Sequence, residues 1–298
     1  MYINHNSMAS NVSNTLTSSY SNLATSTQRL SSGLRVNSAA DDAAGLAIRE
    51  LMRADIAALN QGVRNANDAI SLIQTADGAL GVIDEKLIRM KELAEQAATG
   101  TYDSTQRLMI DSEYQQMASE ITRIANATDF NGMKLLDGTL SSDTHDGGDL
   151  VATGKMKIHF GTMNDSAEDY YYIQIGSATA SSLGVGNSAG TPANTASDAR
   201  TVSTQEQAQK ALVGINNAIV SKDKIRAHLG AMQNRLENTI TNLTTQSENL
   251  QAAESRISDV DVATEMTNFV RNQILTQSAV AMLSQANSMP QMAMQLIG

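Results

Sequence analysis

Side chains that could carry out chemistry are few in this sequence of 298 residues. It contains no cysteine, which excludes disulfides, thiolate nucleophiles and cysteine-bound metals. The four histidines lie in unrelated local contexts, without the spacing of a zinc-binding helix or another metal site; they are His5, His145, His159 and His228. A glycine-rich phosphate-binding loop is also absent from the sequence. These observations predict that the protein binds no metal or cofactor.

Carboxylates give two weaker candidates for a site. Asp41 and Asp42 are adjacent, and they precede a segment with a helical pattern, where acids stabilise a helix N-terminus through its dipole. Because no second acid, base or cofactor motif accompanies them, we expect them to cap a helix and not to catalyse a reaction. His145 lies in an acidic loop, residues 143–149, which could hold a hard cation but is more often simply solvated. The sequence therefore predicts that the protein is not an enzyme.

Composition excludes further classes of function. The chain has 21 Lys and Arg against 31 Asp and Glu, a formal net charge of −10, whereas a nucleic-acid interface requires a concentrated basic face. No apolar run approaches the ~18 residues of a membrane span, and the first residues do not resemble a cleavable secretory signal. We therefore expect neither a nucleic-acid partner nor a membrane partner. Aromatic residues make up only 3% of the chain, so smaller apolar side chains must pack thin helical layers.

The elements that must position these residues are long helices. Apolar residues recur every seven positions in two series, the pattern of helices that pack along one continuous stripe. The series are Met52, Leu59, Ala66, Ile73, Leu80, Leu87 and Ala94, and Leu229, Leu236, Leu243, Leu250 and Ile257. A third segment, residues 110–124, alternates steps of four and three. Three such segments predict an intramolecular helical bundle.

A loop-rich segment, residues 141 to about 201, interrupts the helical pattern. Two runs inside it alternate apolar and polar residues on either side of a polar stretch. Their apolar members are Met156, Ile158 and Phe160 in the first run, and Tyr171, Ile173 and Ile175 in the second. These runs predict a β-hairpin. Because a lone hairpin is marginally stable in water, we expect this one to pack against the helices.

The two ends of the chain are nearly free of charge. Residues 1–40 carry only Arg29 and Arg35, and residues 266–298 carry only Arg271. Both ends nevertheless have apolar stripes at helical spacing, which makes them poor solvated helices when isolated. They become stable if they dock on the bundle of their own chain, or if they pack against copies of the chain. The residues alone leave both interpretations open.

Four segments of the sequence resemble the bacterial flagellins. LSSGLRVNSAADDAAGLAI at residues 30–48 and DFNGMKLL at residues 129–136 are similar to the N-terminal signature of that family. VRNQIL at residues 270–275, with SQAN shortly after it, is similar to the C-terminal end. The resemblance covers residues 1–140 and 203–298, in the order and spacing of the family. The short insert makes the chain similar to a minimal flagellin that lacks the outer domains of larger members.

The resemblance implies a mainly α fold of long antiparallel helices in a coiled-coil-like rod, with a small β-hairpin insert and discontinuous domains. Residues 1–45 and 256–298 would pair as a terminal coiled-coil domain for polymerisation. Residues 46–140 and 200–255 would form a helical rod domain. Residues 141–199 would be the β-hairpin and surface-exposed loop insert of that rod.

The resemblance also implies a structural subunit that polymerises into the helical filament of the bacterial flagellum, the propeller of swimming cells. Family members pass unfolded through the flagellar type III export channel, so the protein is expected to be secreted and to lie in the extracellular filament. The expected partners are copies of the chain itself, an export chaperone at the C-terminal segment, and the filament cap and hook-junction proteins. The nearest alternative is a hook–filament junction protein, which shares similar termini and the same export route.

Two further classes fit the sequence less well. An enzyme displayed on a filament would need its site in the insert, which contains no metal or nucleophile motif. A coiled-coil adhesin that does not polymerise would leave the nearly charge-free ends unexplained. A filament subunit accounts for both features.

Polymer contacts are expected from the apolar stripes of the two ends. Helical polymers repeat contacts between two different patches without closure, and burial of apolar area stabilises by ~25 cal/mol per Å². The residues that we expect in these contacts are Leu16, Leu23, Leu30, Phe269, Arg271, Ile274, Leu283 and Leu296.

Two further sets of residues follow from the resemblance alone. Arg89, Leu93 and Glu113 match the rod surface that the vertebrate innate receptor for flagellin recognises. Arg89 and Leu93 are also simply i and i+4 on one helix, so an ordinary solvated helix face explains them as well. Hydroxyl residues of the insert are candidates for the O-linked sugars that some flagellins carry; they are Thr179, Ser181, Ser182, Thr191 and Thr195.

Overall fold

The computed structural model describes residues 6–146, 153–166, 168–186 and 200–297, with the side chains of these ranges except those of residues 153, 290, 291 and 293–297. Most of the described chain is helical: α1 (Ser7–Ser32), α2 (Ala43–Ala98), α3 (Ser104–Ala127), α4 (Gln205–Ser258) and α5 (Val262–Ile297). Short strands form antiparallel ribbons: β1 (Asp129–Phe130) with β2 (Met133–Lys134), β3 (His145–Asp146) with β4 (Thr153–Gly154), and β5 (Met156–His159) with β6 (Tyr170–Ile173). The predicted fold class, mainly α with small antiparallel strand pairs, is confirmed.

The chain divides into two compact units. The terminal unit consists of Met1–Ala57 and Ser247–Gly298, and the central unit of Ala58–Gln246. Each of the long helices α2 and α4 contributes one part to each unit. The terminal unit is therefore discontinuous in sequence. The domain boundaries expected from the resemblance, near residues 45 and 255, stay a prediction.

The central unit has a continuous apolar core along α2, α3 and α4. Ile73, Leu80 and Leu87 of α2, together with Leu229 and Leu236 of α4, are at most 1% exposed. Helix α3 adds Ile110, Tyr114, Ile121 and Ala125. A stripe that repeats every 3.5 residues on average stays turned toward a neighbouring helix over its whole length. Within this unit, the seven-residue series therefore predicted the core correctly.

Ion pairs at the edge of this core align α4 with α2. The side chain of Lys222 is only 2% exposed, and its Nζ lies 2.6 Å from Asp84 Oδ1 and 2.7 Å from Asp223 Oδ1. Next to it, Arg226 Nε donates to Asp77 Oδ1 at 2.6 Å, and this bond raises the pKa of Arg226. A buried ammonium group is costly unless it is paired. Sliding one helix along the other would separate these charges, so the pairs favour a single register.

The predicted hairpin is present, and it packs against α2. Strands β5 and β6 pair with His159 opposite Tyr170. Asn65 Nδ2 of α2 donates to the carbonyl of His159 at 2.8 Å. The backbone of Phe160 passes so close to Gly62 that a Cβ there would lie 2.0 Å from the Phe160 carbonyl oxygen. Only glycine allows this approach of strand to helix.

Two further ribbons were not predicted from the sequence. β1 and β2 are joined by Asn131 and Gly132, which have φ angles of 52° and 81°. An Asn-Gly pair is the strongest short-range hairpin signal, so the sequence did contain the information. The second ribbon pairs His145 with Gly154. Its strands of two residues are too short to produce an alternating pattern.

Candidate assembly surface

Helices α1 and α5 pack antiparallel in the terminal unit. At one end, Asn6 Nδ2 donates to the carbonyl of Ala286 at 2.8 Å, and Asn6 Oδ1 caps α1 by accepting the amide of Ala9 at 3.0 Å. At the other end, the amide of Val260 donates to the carbonyl of Gly33 at 3.0 Å. Gly33 ends α1 in the left-handed conformation, with φ of 73°, which favours glycine. Hydrogen bonds to backbone carbonyls therefore fix both ends of the helix pair.

The seam between α1 and α5 consists largely of small and polar side chains. Its most buried members are Ser19 and Ser26 of α1, and Glu265, Thr276, Ala279 and Ala286 of α5. Glu265 faces Arg29 across the seam, with 3.9 Å between Oε2 and Nη1. Leu16, Leu23 and Leu30 share the stripe of the two serines and are half-buried. The most buried positions of the seam are thus small or polar, and its leucines are only half-buried.

The large apolar side chains of α5 lie mostly on its exposed side. Val262, Met266, Val270 and Ile274 follow one another at four-residue spacing, and each is about half exposed, with Ile274 at 57%. We call these four residues the outer stripe. Leu275, Val280 and Met282 add further exposed apolar surface on α5. An apolar surface of this extent on a helix with only two charged residues is typical of an interaction site.

The residues that we expected in polymer contacts divide between these two surfaces. Five of them are half-buried and follow the helical spacing of the seam residues: Leu16, Leu23, Leu30, Phe269 and Leu283. Ile274 belongs to the outer stripe, and Arg271 is exposed. The side chain of Leu296 lies outside the described residues. The ends therefore do dock within their own chain, and they also display a second apolar surface.

The segment between α1 and α2, residues 33–42, is fixed by hydrogen bonds to backbone groups, and we call it the joint. Asp42 Oδ1 accepts the amide of Gly45 at 2.9 Å and so caps α2. Asp41 Oδ2 accepts the amides of Asn37 and Ser38 at 3.2 and 2.9 Å. The bonds from the amide and hydroxyl of Ser38 lower the pKa of Asp41. The capping role predicted for this carboxylate pair is thus confirmed at Asp42, and Asp41 fixes the preceding turn.

Two arginines hold the same joint together. Arg35 donates its amide to the carbonyl of Ser258 at 2.6 Å and its Nη2 to the carbonyl of Ile257 at 2.7 Å. Arg49 is buried, and its Nη1 donates to the carbonyl of Val36 at 2.8 Å. Guanidinium groups have several donors in a fixed plane, which suits them to such backbone carbonyls. Sequence reasoning did not identify these contacts, because the carbonyls are distant in the chain.

The residues expected to contact an innate receptor lie together in the central unit. Arg89 Nη2 is 2.8 Å from Glu113 Oε1, and Arg89 Nη1 is 2.9 Å from Glu92 Oε2. These bonds raise the pKa of Arg89. Leu93 is only 1% exposed and packs in the core. The surface that a partner could touch therefore consists of Arg89, Glu92 and Glu113, and an expectation of surface contact by Leu93 has to be corrected.

The hydroxyl residues expected to carry sugars have different environments. Ser181 and Ser182 are exposed. Thr179 is half-buried, with its Oγ1 3.2 Å from Ser181 Oγ and accepting the amide of Ser182 at 3.3 Å. Thr191 and Thr195 lie outside the described residues.

The described residues contain neither a cluster of metal ligands nor a helix that could span a membrane. His145 Nδ1 lies 2.8 Å from the carbonyl oxygen of Lys155, and no group of three potential metal ligands is found among the residues that the structure describes. Asp149 of the acidic loop lies outside them. In the same part of the chain, no helix combines the length and apolarity needed to cross a membrane.

Long helices, carboxylates used as caps, and a helix pair with its large apolar side chains outward define a helical structural protein. The model of the bacterial flagellin N-terminal helical region matches residues 3–141, and that of the bacterial flagellin C-terminal helical region matches residues 212–297. The chain belongs to the bacterial flagellin family.

Relatives match over their whole length. The chain is 41% identical over 297 residues to a flagellar filament 33 kDa core protein of Treponema phagedenis, and 43% identical over 313 residues to a flagellin of Bacillus subtilis (strain 168); each match covers 100% of both chains. The crystal structure of Bacillus cereus flagellin has 30% sequence identity and a TM-score of 0.46, covering 64% of this chain and 94% of its own. These relatives are structural proteins. The Treponema phagedenis and Bacillus subtilis relatives identify this chain as a subunit of the flagellar filament and do not favour the hook–filament junction alternative.

Proposed function

We propose that the outer stripe of α5 forms contacts through which copies of this chain join in the filament. The supporting observation is that most of the described large apolar side chains of α5 are exposed, whereas the most buried positions of its seam hold small or polar residues. In an unassembled chain this surface faces water. Packing against neighbouring copies removes it from water, which stabilises the assembled state.

The free energy available from the outer stripe explains why one neighbour is not enough. Full burial of a Val, Ile or Met side chain stabilises by about 1.5–3 kcal/mol. The four residues are already about half buried, so the remaining gain is on the order of 1 kcal/mol each. Association costs at least ~4 kcal/mol. A subunit therefore needs several neighbours, as it has in a helical polymer that repeats contacts without closure.

The seam residues contribute indirectly to the same assembly. Leu16, Leu23, Leu30 and Leu283 are half-buried in the terminal unit, where they hold α1 and α5 together. Their role in our proposal is to keep the outer stripe on a regular helix and to present it as one surface. Arg271 lies beside the stripe, exposed, and would pair with a polar group of a neighbour at the rim of the contact.

A single carboxylate in the outer stripe tests the proposal. Val270→Asp is expected to abolish filament growth from seeds, measured by electron microscopy and by pelleting, while circular dichroism of the unassembled chain keeps its helical signal. Val220→Asp is the control, because Val220 of α4 is 52% exposed against 45% for Val270 but lies in the central unit. Filaments at normal yield from Val270→Asp would contradict the proposal.

We also propose that the outer stripe is the surface covered before assembly. An export chaperone that binds the C-terminal segment would shield these apolar residues until the chain is secreted into the extracellular filament. At the two ends of the filament, the cap and the hook-junction proteins would contact the terminal domains of the last subunits. Val270→Asp should then weaken chaperone binding, measured by titration calorimetry. Unchanged binding would mean that the chaperone binds a surface other than the outer stripe.

Recognition by a vertebrate receptor is a further proposal, and it rests on the exposed cluster of Arg89, Glu92 and Glu113. Their ion pairs hold the three side chains in one arrangement on α2 and α3. Arg89→Ala with Glu113→Ala should reduce receptor signalling. Arg123→Ala with Glu120→Ala is the matched control, since it removes another exposed ion pair of 2.7 Å. Full signalling by the first variant would eliminate this site.

Glycosylation of the insert is proposed at the exposed Ser181 and Ser182, with the half-buried Thr179 as a third acceptor and with Thr191 and Thr195 as sequence-based candidates. The intact mass of the filament protein from the native host, measured by mass spectrometry, should exceed the mass calculated from the sequence. Ser181→Ala with Ser182→Ala should remove part of the excess. A native mass equal to that of the sequence would disprove the modification.

A further inference from the structure

The outward face of the β5–β6 ribbon carries cations placed over aromatic rings. Lys157 Nζ lies 3.7 Å from the centroid of the Tyr170 ring, and Lys155 Nζ lies 4.6 Å from that of the Tyr172 ring. The two rings meet edge to face, with 5.3 Å between their centroids. We call these four residues the cationic face. Side chains alternate across a strand, and the alternate residue Ile158 packs against the core, so the cationic face points away from it.

Two histidines continue this face at its edges. The ring centroid of His159 is 6.1 Å from that of Tyr170, and that of His145 is 5.5 Å from that of Tyr172. The Nδ1 atom of His145 is positioned by the carbonyl of Lys155, at 2.8 Å. Partial burial, and then the hydroxyl of Tyr170, raise the pKa of Tyr172, so that phenol stays neutral. The face therefore presents cations and neutral rings.

The two lysines of the cationic face form no ion pair with a described residue. Neither Lys155 nor Lys157 has a carboxylate within ion-pair distance among the described residues, although the whole chain carries a net charge of −10. Lys157 Nζ donates to the neutral amide oxygen of Asn164 at 3.3 Å. By contrast, Lys210 and Lys222 of α4 are each paired with a carboxylate, at 2.7 and 2.6 Å. A fixed local positive charge without a partner is complementary to an anion.

We propose that the cationic face binds an acidic polysaccharide, a linear chain of sugars that carry sulfate or carboxylate groups. Lys157 lies on β5 and Lys155 directly precedes that strand, so the two Cα atoms are at most roughly 7 Å apart. A linear polyanion can follow such a row. The ammonium groups are already held over the tyrosine rings, so less side-chain freedom is lost on binding.

The same contacts argue against a nucleic acid as the occupant. Single-stranded nucleic acids bind by stacking their bases on open aromatic faces. Tyr170 and Tyr172 each have an ammonium group over one face, and their rings contact one another. Stacking of bases is therefore hindered, whereas the N–H groups of the lysines remain available to sulfate or carboxylate oxygens.

A single cationic face offers only two lysines, so its affinity for a polysaccharide is weak. Many copies along one filament would bind the same polymer together, and linkage of this kind raises the overall affinity by about 10²–10⁴. This second step, unlike the first, rests on the proposed assembly. Binding by the unassembled chain and by the filament are therefore measured separately.

The test uses the full chain before seeding, with labelled heparin as the acidic polysaccharide and fluorescence anisotropy as the readout. Lys155→Gln with Lys157→Gln should weaken binding about tenfold, because two charge-assisted contacts are lost. Lys210→Gln with Lys224→Gln removes the same charge from α4, at the half-buried Lys210 and the exposed Lys224, and should leave binding near its original value. Lys155→Arg with Lys157→Arg should retain binding, since guanidinium groups also stack on aromatic rings. Neutral dextran should not bind.

Four results would overturn the proposal. The first is heparin binding that the glutamine pair leaves unchanged, and the second is an equal loss in the α4 control. The third is oligo(dT) bound as tightly as heparin with the same dependence on the two lysines. The fourth is self-association of the unseeded chain that the glutamine pair abolishes without any polysaccharide, because the occupant would then be a second copy. Failure of filament growth affects none of these measurements.

Discussion

In the central unit, Leu80 and Leu87 of α2 are fully buried between helices, whereas the most buried residues of α1 in the terminal unit are Ser19 and Ser26. Most of the described large apolar side chains of α5 are exposed to water. The central unit thus has a continuous core of fully buried apolar side chains, whereas the terminal unit has small or polar residues at its most buried positions and a row of exposed apolar residues on α5. The central unit is therefore stabilised by its own core, and the terminal unit gains stability when other molecules cover it.

A matched pair of leucines should give the largest contrast between the units. Leu87→Ala removes a fully buried side chain and should lower the free energy of unfolding of the unassembled chain by about 2–5 kcal/mol. Leu275 is 48% exposed on α5, so Leu275→Ala should change that free energy little and should raise the concentration needed for filament growth. Urea unfolding and seeded pelleting measure the two effects. If both variants lowered the free energy of unfolding equally, the two units would not differ in how they are stabilised.

Two glycines of α2 test how tightly the central unit is packed. Gly62→Ala would place a Cβ 2.0 Å from the carbonyl oxygen of Phe160, and shifting the strand should cost about 1–3 kcal/mol of stability. A Cβ at Gly78 would meet no atom within 4 Å, so Gly78→Ala should stabilise by about 0.5–1 kcal/mol through helix propensity. Urea unfolding measures the direction in which each variant changes the free energy of unfolding. A neutral Gly62→Ala would mean that the hairpin does not press on α2.

Two helix caps test whether the units unfold separately. Asp42 caps α2 in the terminal unit, and Asp103 caps α3 in the central unit, where its Oδ1 accepts the amide of Ser104 at 2.7 Å. Replacing either residue with alanine should cost about 1 kcal/mol. Hydrogen exchange should show the loss only in the unit that contains the cap. Loss of protection throughout the chain from both variants would indicate a single cooperative unit.

Acid should weaken the terminal unit through two carboxylates, the smallest effect of the series. The amide and hydroxyl of Ser38 lower the pKa of Asp41, and the hydroxyl and amide of Thr264 lower that of Asp261. A carboxyl with a lowered pKa in the folded state stabilises above its unfolded pKa, and this contribution is lost as the pH falls through the folded value. Asp41→Asn with Asp261→Asn should therefore lower the stability of the unassembled chain at pH 7, and that stability should fall less between pH 5 and pH 2 than in the parent chain, as urea unfolding followed by circular dichroism measures. An unchanged pH dependence would show that other carboxylates, such as Glu50, dominate.

The seven-residue series by themselves determined the helices and the core of the central unit, because an amphipathic stripe has only one side to bury. Alternation likewise determined the hairpin, and adjacent carboxylates before a helical pattern determined the cap at Asp42. In the joint, the carbonyls bound by Arg35 and Arg49 were not predictable, since those contacts require the backbone to return to the same place.

Only the tertiary structure decided which residues of the ends face their own chain. Helix α5 is apolar around much of its circumference, so periodicity could not separate the seam residue Leu283 from Ile274 of the outer stripe. It also decided that Leu93 is buried although its neighbour Arg89 is exposed, and that Lys155 and Lys157 lie over tyrosine rings. Periodicity assigns residues to the faces of one element, and the packing of a second element then determines which face remains in water.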